Sequence, residues 1–258
     1  MPESGSARHD AQAAFILHHY PYRETSLLLE VFTQNRGRVA LVARGARRPR
    51  SALRGVLLAF QPLLLSWAGK SELRTLHKAE WQGGLPQLKG IALLCGFYLN
   101  ELMVKLLPRD DPHEALYLAY FGALRELSKG ADRAATLRTF EQHLLKELGY
   151  ALTLDHDVAS GEPIQANCSF QYLIERGPVR DSRWNAGTSN VAGVESNDAM
   201  AENGLELAGR TLLDMQCGDY TNPATMQQSK ALMRMLINHY LGSQTLNTRQ
   251  ILKDLQQL

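Results

Sequence analysis

Cysteine is scarce: Cys95, Cys168 and Cys217 are the only three in 258 residues, odd in number and far apart. They offer no disulfide framework and, without a CxxC pair, no cysteine zinc site; they fit a reducing compartment. Residues 1–12 are polar and lack a signal-peptide core, and the apolar run 13–17 is far too short to signal or to span a membrane. A cytoplasmic protein without membrane contact is expected. Catalytic signatures are missing too: HExxH, GxGxxG and GxSxG do not occur. Gly69-Lys70-Ser71 resembles the end of a P-loop, but Leu64 stands where the upstream glycine belongs. The residues after Ser71 alternate like a strand instead of opening a helix. No catalytic residue and no cofactor is therefore expected. The last absence is local: no acidic residue occurs between Arg36 and Arg54.

The remaining composition is that of a globular chain, 45% apolar and 21% charged, with a net charge of only +2. That total hides an asymmetry. Residues 1–80 hold twelve Lys/Arg against six Asp/Glu, net +6, whereas the other 178 residues hold sixteen against twenty, net −4. Such a division points to an acidic partner for the N-terminal part.

Five short β-rich runs, 13–18, 26–32, 38–43, 62–67 and 73–80, are separated by turn signals at Pro21, Asn35-Arg36-Gly37, Gly45, Gly55 and Ala68-Gly69-Lys70. This is enough for a small barrel, with an OB-fold preferred and an SH3-like barrel as the alternative. Beyond Pro86 the period becomes helical. Ile91, Cys95, Leu99, Leu102 and Leu106 form one stripe, with Glu101 and Lys105 paired on its flank. Asp111-Pro112-His113-Glu114 reads as the N-cap of a second helix, and Leu137, Phe140, Leu144 and Leu148 before Gly149 as a third. A strand is expected at 170–175, a loop at 185–203, and helices at 205–215, from Asn222-Pro223 to Tyr240, and at 248–258. The fold class is thus α+β, in four parts. A flexible tail (1–12) leads into a five-stranded OB-fold domain (13–82), then a helical domain (83–152). A small mixed C-terminal region (153–258) follows, its final helices packing on the helical domain.

Chemistry concentrates in the basic run. Arg36, Arg38, Arg44, Arg47, Arg48, Arg50 and Arg54 are seven guanidiniums in 19 residues, which repel one another unless solvent or a polyanion relieves them. Arginine suits phosphate forks and base stacking, and turn residues place part of the run where an OB-fold contacts oligonucleotides. A solvated loop without a partner is the plain alternative. Tyr20, Tyr22, Phe32, Phe60, Trp67 and Trp81 are candidate stacking rings, most of them expected in the core. Asp155-His156-Asp157 is the one cluster that suggests a metal-dependent nuclease, but three neighbours need ligands from elsewhere and none is signposted. Met226, Met233 and Met235 read as helical core.

Several motifs in order carry a resemblance. They are Glu24-Thr25-Ser26-Leu27, Val31-Phe32-Thr33, Gly37-Arg38-Val39, Arg44-Gly45-Ala46-Arg47, Pro62-Leu63-Leu64-Leu65 and Tyr98-Leu99-Asn100-Glu101-Leu102. Leu137-Arg138-Thr139-Phe140-Glu141, Leu148-Gly149-Tyr150, Tyr240-Leu241-Gly242-Ser243, Thr248-Arg249 and Ile251-Leu252 follow. From about residue 11 onward the chain resembles the RecO family of bacterial recombination mediators. The resemblance implies an N-terminal OB-fold, binding and annealing of single-stranded DNA (duplex more weakly), and help in loading recombinase onto gaps covered by single-strand-binding protein. It implies RecR and the acidic C-terminal tail of single-strand-binding protein as partners. For that tail, Arg125 beside Leu124, and Arg138 with Phe140 and Leu144, offer a cation next to an apolar slot; the alternative is that these apolar residues are interhelical core. Many members carry a four-cysteine zinc motif after the Leu-Gly-Tyr helix end. Residues 152–163 here contain no cysteine, so zinc does not carry over. An OB-fold RNA-binding protein remains the alternative of another class.

Overall fold

The computed structural model describes residues 8–181 and 204–255. Strands β1 (Arg8–Tyr22), β2 (Ser26–Thr33), β3 (Gly37–Ala43), β4 (Leu63–Ala68) and β5 (Leu73–Trp81) close a barrel in the order β1-β2-β3-β5-β4. The β3–β5 pair is parallel and the other pairs are antiparallel, the wiring of an OB-fold. Alternation sends Ala14, Ile16, Leu29, Val31, Val39, Leu41, Leu63, Leu65 and Trp67 inward, and the one-turn helix α1 (Leu53–Val56) packs against this core. β1 opens at Arg8, inside the stretch expected to be a tail. Arg8 pairs with Ala68 and His9 with Trp67, so backbone bonding orders polar residues that carry no apolar signal.

The other face of β1 and β2 is apolar as well, because it is covered. Phe15 and Phe32 lie against Tyr117 and Tyr120 of α3 (Glu114–Lys129), with Phe15 at 5.1 Å from Tyr120. Asn100 of α2 (Gly90–Leu106) donates to the Leu17 carbonyl at 2.8 Å and accepts from the Tyr120 hydroxyl at 2.5 Å. The barrel and the first helices, expected as separate domains divided near residue 83, therefore belong to one compact unit, which takes in the chain up to Phe140 and from Ser243 on. Helix α7 (Asn247–Leu255) joins it: the Glu101 carboxylate accepts from the amides of Asn247 and Thr248, at 2.8 and 2.9 Å, at the positive end of that helix.

α3 starts at Glu114, not at the Asp111-Pro112 cap expected from sequence. The preceding residues are engaged with β3 instead: Arg109 bridges to Arg38, and the Asp110 amide donates to the Arg38 carbonyl at 2.9 Å. This strap fixes Gly37, whose φ is +63° and where a Cβ would lie 1.8 Å from the Asp111 carbonyl oxygen. Only glycine fits there.

The second unit, Glu141–Gly242, contains the end of α4 (Arg133–Glu147), a three-stranded sheet and helices α5 (Gly209–Cys217) and α6 (Pro223–Leu241). Strands β6 (Ser169–Leu173), β7 (Gly177–Arg180) and β8 (Gly204–Ala208) pair in the order β7-β6-β8. β8 takes residues expected to begin a helix at 205: pairing of Tyr172 with Leu205 holds them extended, and the helix begins only at Gly209. Asn222 caps α6 as its sequence suggests, accepting from the Ala224 amide at 2.9 Å. Of the two final helices, α7 docks on α2, while α6 belongs to the second unit. The expected loop at 185–203 lies outside the described residues.

Candidate nucleic-acid interface

The seven arginines do not form one patch. β3 runs between Arg36 and Arg44, and at about 3.3 Å per residue it separates them by roughly 25 Å. Arg36 lies in the β2–β3 turn at one end of the barrel; Arg44, Arg47, Arg48, Arg50 and Arg54 ride the connection from β3 into α1 at the other. Arg38 is a correction of a different kind. Its guanidinium donates to Glu30 at 2.8 Å and to the Leu107 carbonyl at 3.0 Å, and Glu30 is also paired with Arg109. A buried carboxylate on the neighbouring strand, invisible in the linear run, neutralises it.

The five arginines of the connection 44–54 are exposed, and among the described residues none of them has a carboxylate within ion-pair distance. Consecutive tight turns shape the segment: Arg48 N donates to Gly45 O at 3.1 Å, Ser51 N to Arg48 O at 3.0 Å and Arg54 N to Ser51 O at 3.2 Å. The first of them needs Gly45, whose φ is +68°. Arg47 anchors the segment to the β1–β2 turn, its amide donating to Thr25 O at 2.9 Å and its guanidinium to the carbonyls of Arg23 and Glu24 at 3.4 and 3.3 Å. That contact brings in Arg23, which the sequence reading missed. It stands thirteen residues ahead of the run, and its guanidinium lies 5.3 Å from the Tyr22 ring centre. The Pro21-Tyr22-Arg23 turn was the available signal. Carboxylate-free guanidiniums on two adjoining loops, joined through Arg47, can donate to phosphate oxygens without first breaking an ion pair.

The structure sorts the aromatic candidates. Phe32, Phe60 and Trp67 are core; Tyr20, 43% exposed, and Trp81 are open to solvent. His18 stands on the outer face beside Tyr20, ring centres 4.3 Å apart. Partial burial and then the neighbouring His19 push its imidazole below the ordinary value of 6.5. His9 is lowered by burial, Arg36 and Arg74. A lowered folded value means that below pH 6.5 the unfolded chain takes up protons the folded one refuses, so stability falls as pH falls. The melting temperature should therefore drop from pH 7.5 to 5.5, and His18→Gln should shrink the drop. An unchanged drop would remove His18 from the account.

Other candidate sites find different explanations. Ser71 turns into β5, its hydroxyl on the Leu73 carbonyl at 2.8 Å, so no phosphate loop forms there. In the 155–157 cluster, His156 bonds Asp155 at 2.7 Å, while Asp157 accepts from the amides of Ala159 and Arg180 at 2.8 and 3.3 Å. Asp157 is a loop organiser, and among the described residues no three His, Cys, Asp or Glu converge on a metal position. The partner slot expected at Arg125, Arg138, Phe140 and Leu144 is not open. Arg138 is 8% exposed, Phe140 packs edge-on against Tyr120 and Leu144 is fully buried, so these apolar residues are core. Arg125 is exposed beside Glu126. Among the described residues no helix is long and apolar enough to cross a membrane.

Together these features define an OB-fold protein with an arginine rim at one end of its barrel. The profile of Recombination protein O N terminal matches residues 10–84, and that of Recombination protein O C terminal matches residues 87–250. The chain belongs to the Recombination protein O family. It is 59% identical over 251 residues to the DNA repair protein RecO of Nitrosospira multiformis, an alignment spanning 97% of this chain and 98% of the relative. Against the DNA repair protein RecO of Azoarcus sp. (strain BH72) the identity is 52%, with the same 97% and 98% spans. Against that of Aromatoleum aromaticum it is 51% over 255 residues, 99% of this chain and 100% of the relative.

Proposed function

We propose that this protein is a non-catalytic, cytoplasmic mediator of recombinational DNA repair that binds and anneals single-stranded DNA and helps load recombinase onto gaps coated by single-strand-binding protein. The observation that carries the reading is the rim: five exposed arginines with no carboxylate partner among the described residues, on an OB-fold, in a family whose relatives are named for DNA repair. Arg44, Arg47 and Arg48 are the first choices for phosphate contacts. Neutralising the backbone is what lets two polyanions approach, so annealing follows from binding. Duplex DNA binds more weakly. Mixing complementary labelled strands tests this directly. The protein should accelerate annealing without any nucleotide, and equal rates with and without it would defeat the proposal.

RecR and the acidic tail of single-strand-binding protein are the partners this reading assigns. A tail with carboxylates and a terminal aromatic ring needs cations beside an apolar slot. A groove of about 380 Å³ between the start of α2 and the end of α3 supports such a docking place: Ile91, Ala92 and Leu127 line it, flanked by Lys89 and Arg133. Neither cation is ion-paired among the described residues. An acidic tail peptide should bind Arg133→Glu at least tenfold more weakly than wild type, and Arg125→Ala like wild type. The reverse pattern would return the site to Arg125.

A further inference from the structure

Trp81 ends β5 with 59% of its surface exposed, yet it is not loose. Its indole Nε1 donates to Gln61 Oε1 at 3.0 Å, and the buried Gln61 donates its own Nε2 to the Leu85 carbonyl at 3.3 Å. The chain then folds back at Gly83, φ +73°, where a Cβ would lie 3.6 Å from Trp81 Cη2. A single exposed hydrophobe is ordinary on a protein surface. This one has a buried glutamine holding its only polar atom and a glycine turned back against its six-membered ring, so the indole is fixed in one orientation while most of it stays in water.

Its position matters equally. Trp81 lies two residues beyond Ala79 on the same face of β5, and Ala79 packs on the barrel core together with Leu53, Val56 and Leu57, the segment into which the arginine connection runs. The one nearby acid on this strand, Glu80, is paired with Lys78 at 2.9 Å and adds no net repulsion. Trp81 thus ends a strand that shares its core contacts with the segment after the carboxylate-free arginine connection and carries no unpaired acid of its own, which favours a polyanion over an apolar protein partner.

We propose that Trp81 is the stacking platform for an unpaired base of the strand whose phosphates the arginine rim holds. This rests on the single-stranded DNA reading above and adds what arginines alone do not supply. Phosphate contacts scarcely distinguish one strand from two, whereas a duplex has its bases already stacked and has none to offer. Every base has a π-face, so the platform is indifferent to sequence.

The test uses a Trp184→Phe background, Trp184 lying outside the described residues, so that emission comes from the buried Trp67 and from Trp81. Oligo(dT) should quench emission in that background and not in the further variant Trp81→Leu. Trp81→Leu should bind oligo(dT) about tenfold more weakly with the same salt dependence, should bind duplex unchanged, and should be largely rescued by Trp81→Phe. An abasic oligonucleotide, with the same phosphates and no bases, should bind Trp81 and Trp81→Leu proteins equally. Wild-type affinity for oligo(dT) in Trp81→Leu would overturn the platform while leaving the arginine rim standing, as would a protein partner lost without effect on oligo(dT). Equal loss on abasic and normal strands would make Trp81 merely structural. Absence of any salt-dependent binding by the unsubstituted protein would instead defeat the underlying reading.

Discussion

Changing Arg44, Arg47 and Arg48 together to Ala should flatten the salt dependence of single-stranded DNA binding by about two units of log K per log salt. Each neutralised phosphate on a single strand contributes about −0.7, so five contacting arginines give a slope of roughly −3.5 and the triple variant roughly −1.4. With an unchanged intercept at 1 M, the same change lowers affinity about a hundredfold at 0.1 M salt. The fold should survive, because all three guanidiniums are exposed; only Arg47 bonds through its guanidinium to the main chain, at 3.3 and 3.4 Å. Annealing should slow in proportion. Arg36→Ala, at the far end of β3, should alter the slope far less. A triple variant with unchanged slope and affinity would reduce the connection to a solvated loop.

Removing Glu30 should have the largest effect on stability. Its carboxylate is 5% exposed and holds both Arg38 and Arg109, so Glu30→Ala leaves two cations around a desolvated gap. Breaking a buried pair by deleting one partner costs about 3–5 kcal/mol, which for a protein of this size lowers the melting temperature by roughly 10 °C. Arg38→Ala should also destabilise, yet leave the slope of DNA binding untouched. That combination separates Arg38 from the six exposed arginines that neighbour it in sequence. A normal melting temperature with a flatter slope in Arg38→Ala would restore it to the interface.

What could be read from sequence follows from where apolar periodicity is strong. All five barrel strands were legible because one face of each packs on a single core, leaving alternation such as Val39, Leu41 and Ala43. The start of β1 was not, since Arg8 and His9 are ordered by backbone pairing with β4. β7 and β8 were missed for a related reason: four or five residues with Gly177, Pro178 or Gly204 at their ends carry too little pattern. The arginine run was visible but its division was not, because linear spacing does not reveal that seven of its residues form a strand with Glu30 beside it. In the helices, the periodicity of Phe140 and Leu144 suits core and docking slot alike, and burial decides for core. The open groove at Ile91 and Arg133 draws on residues some forty apart, which periodicity within one helix cannot bring together.

The central claim is that this barrel end takes single-stranded DNA through its phosphates. Competition between labelled single-stranded DNA, duplex DNA and RNA of matched length, at two salt concentrations, tests it most directly. Single-stranded DNA should win at both, with the steep salt dependence of about five phosphate contacts. Preferential, salt-resistant binding of structured RNA would contradict it and point to recognition through the 2′-hydroxyl.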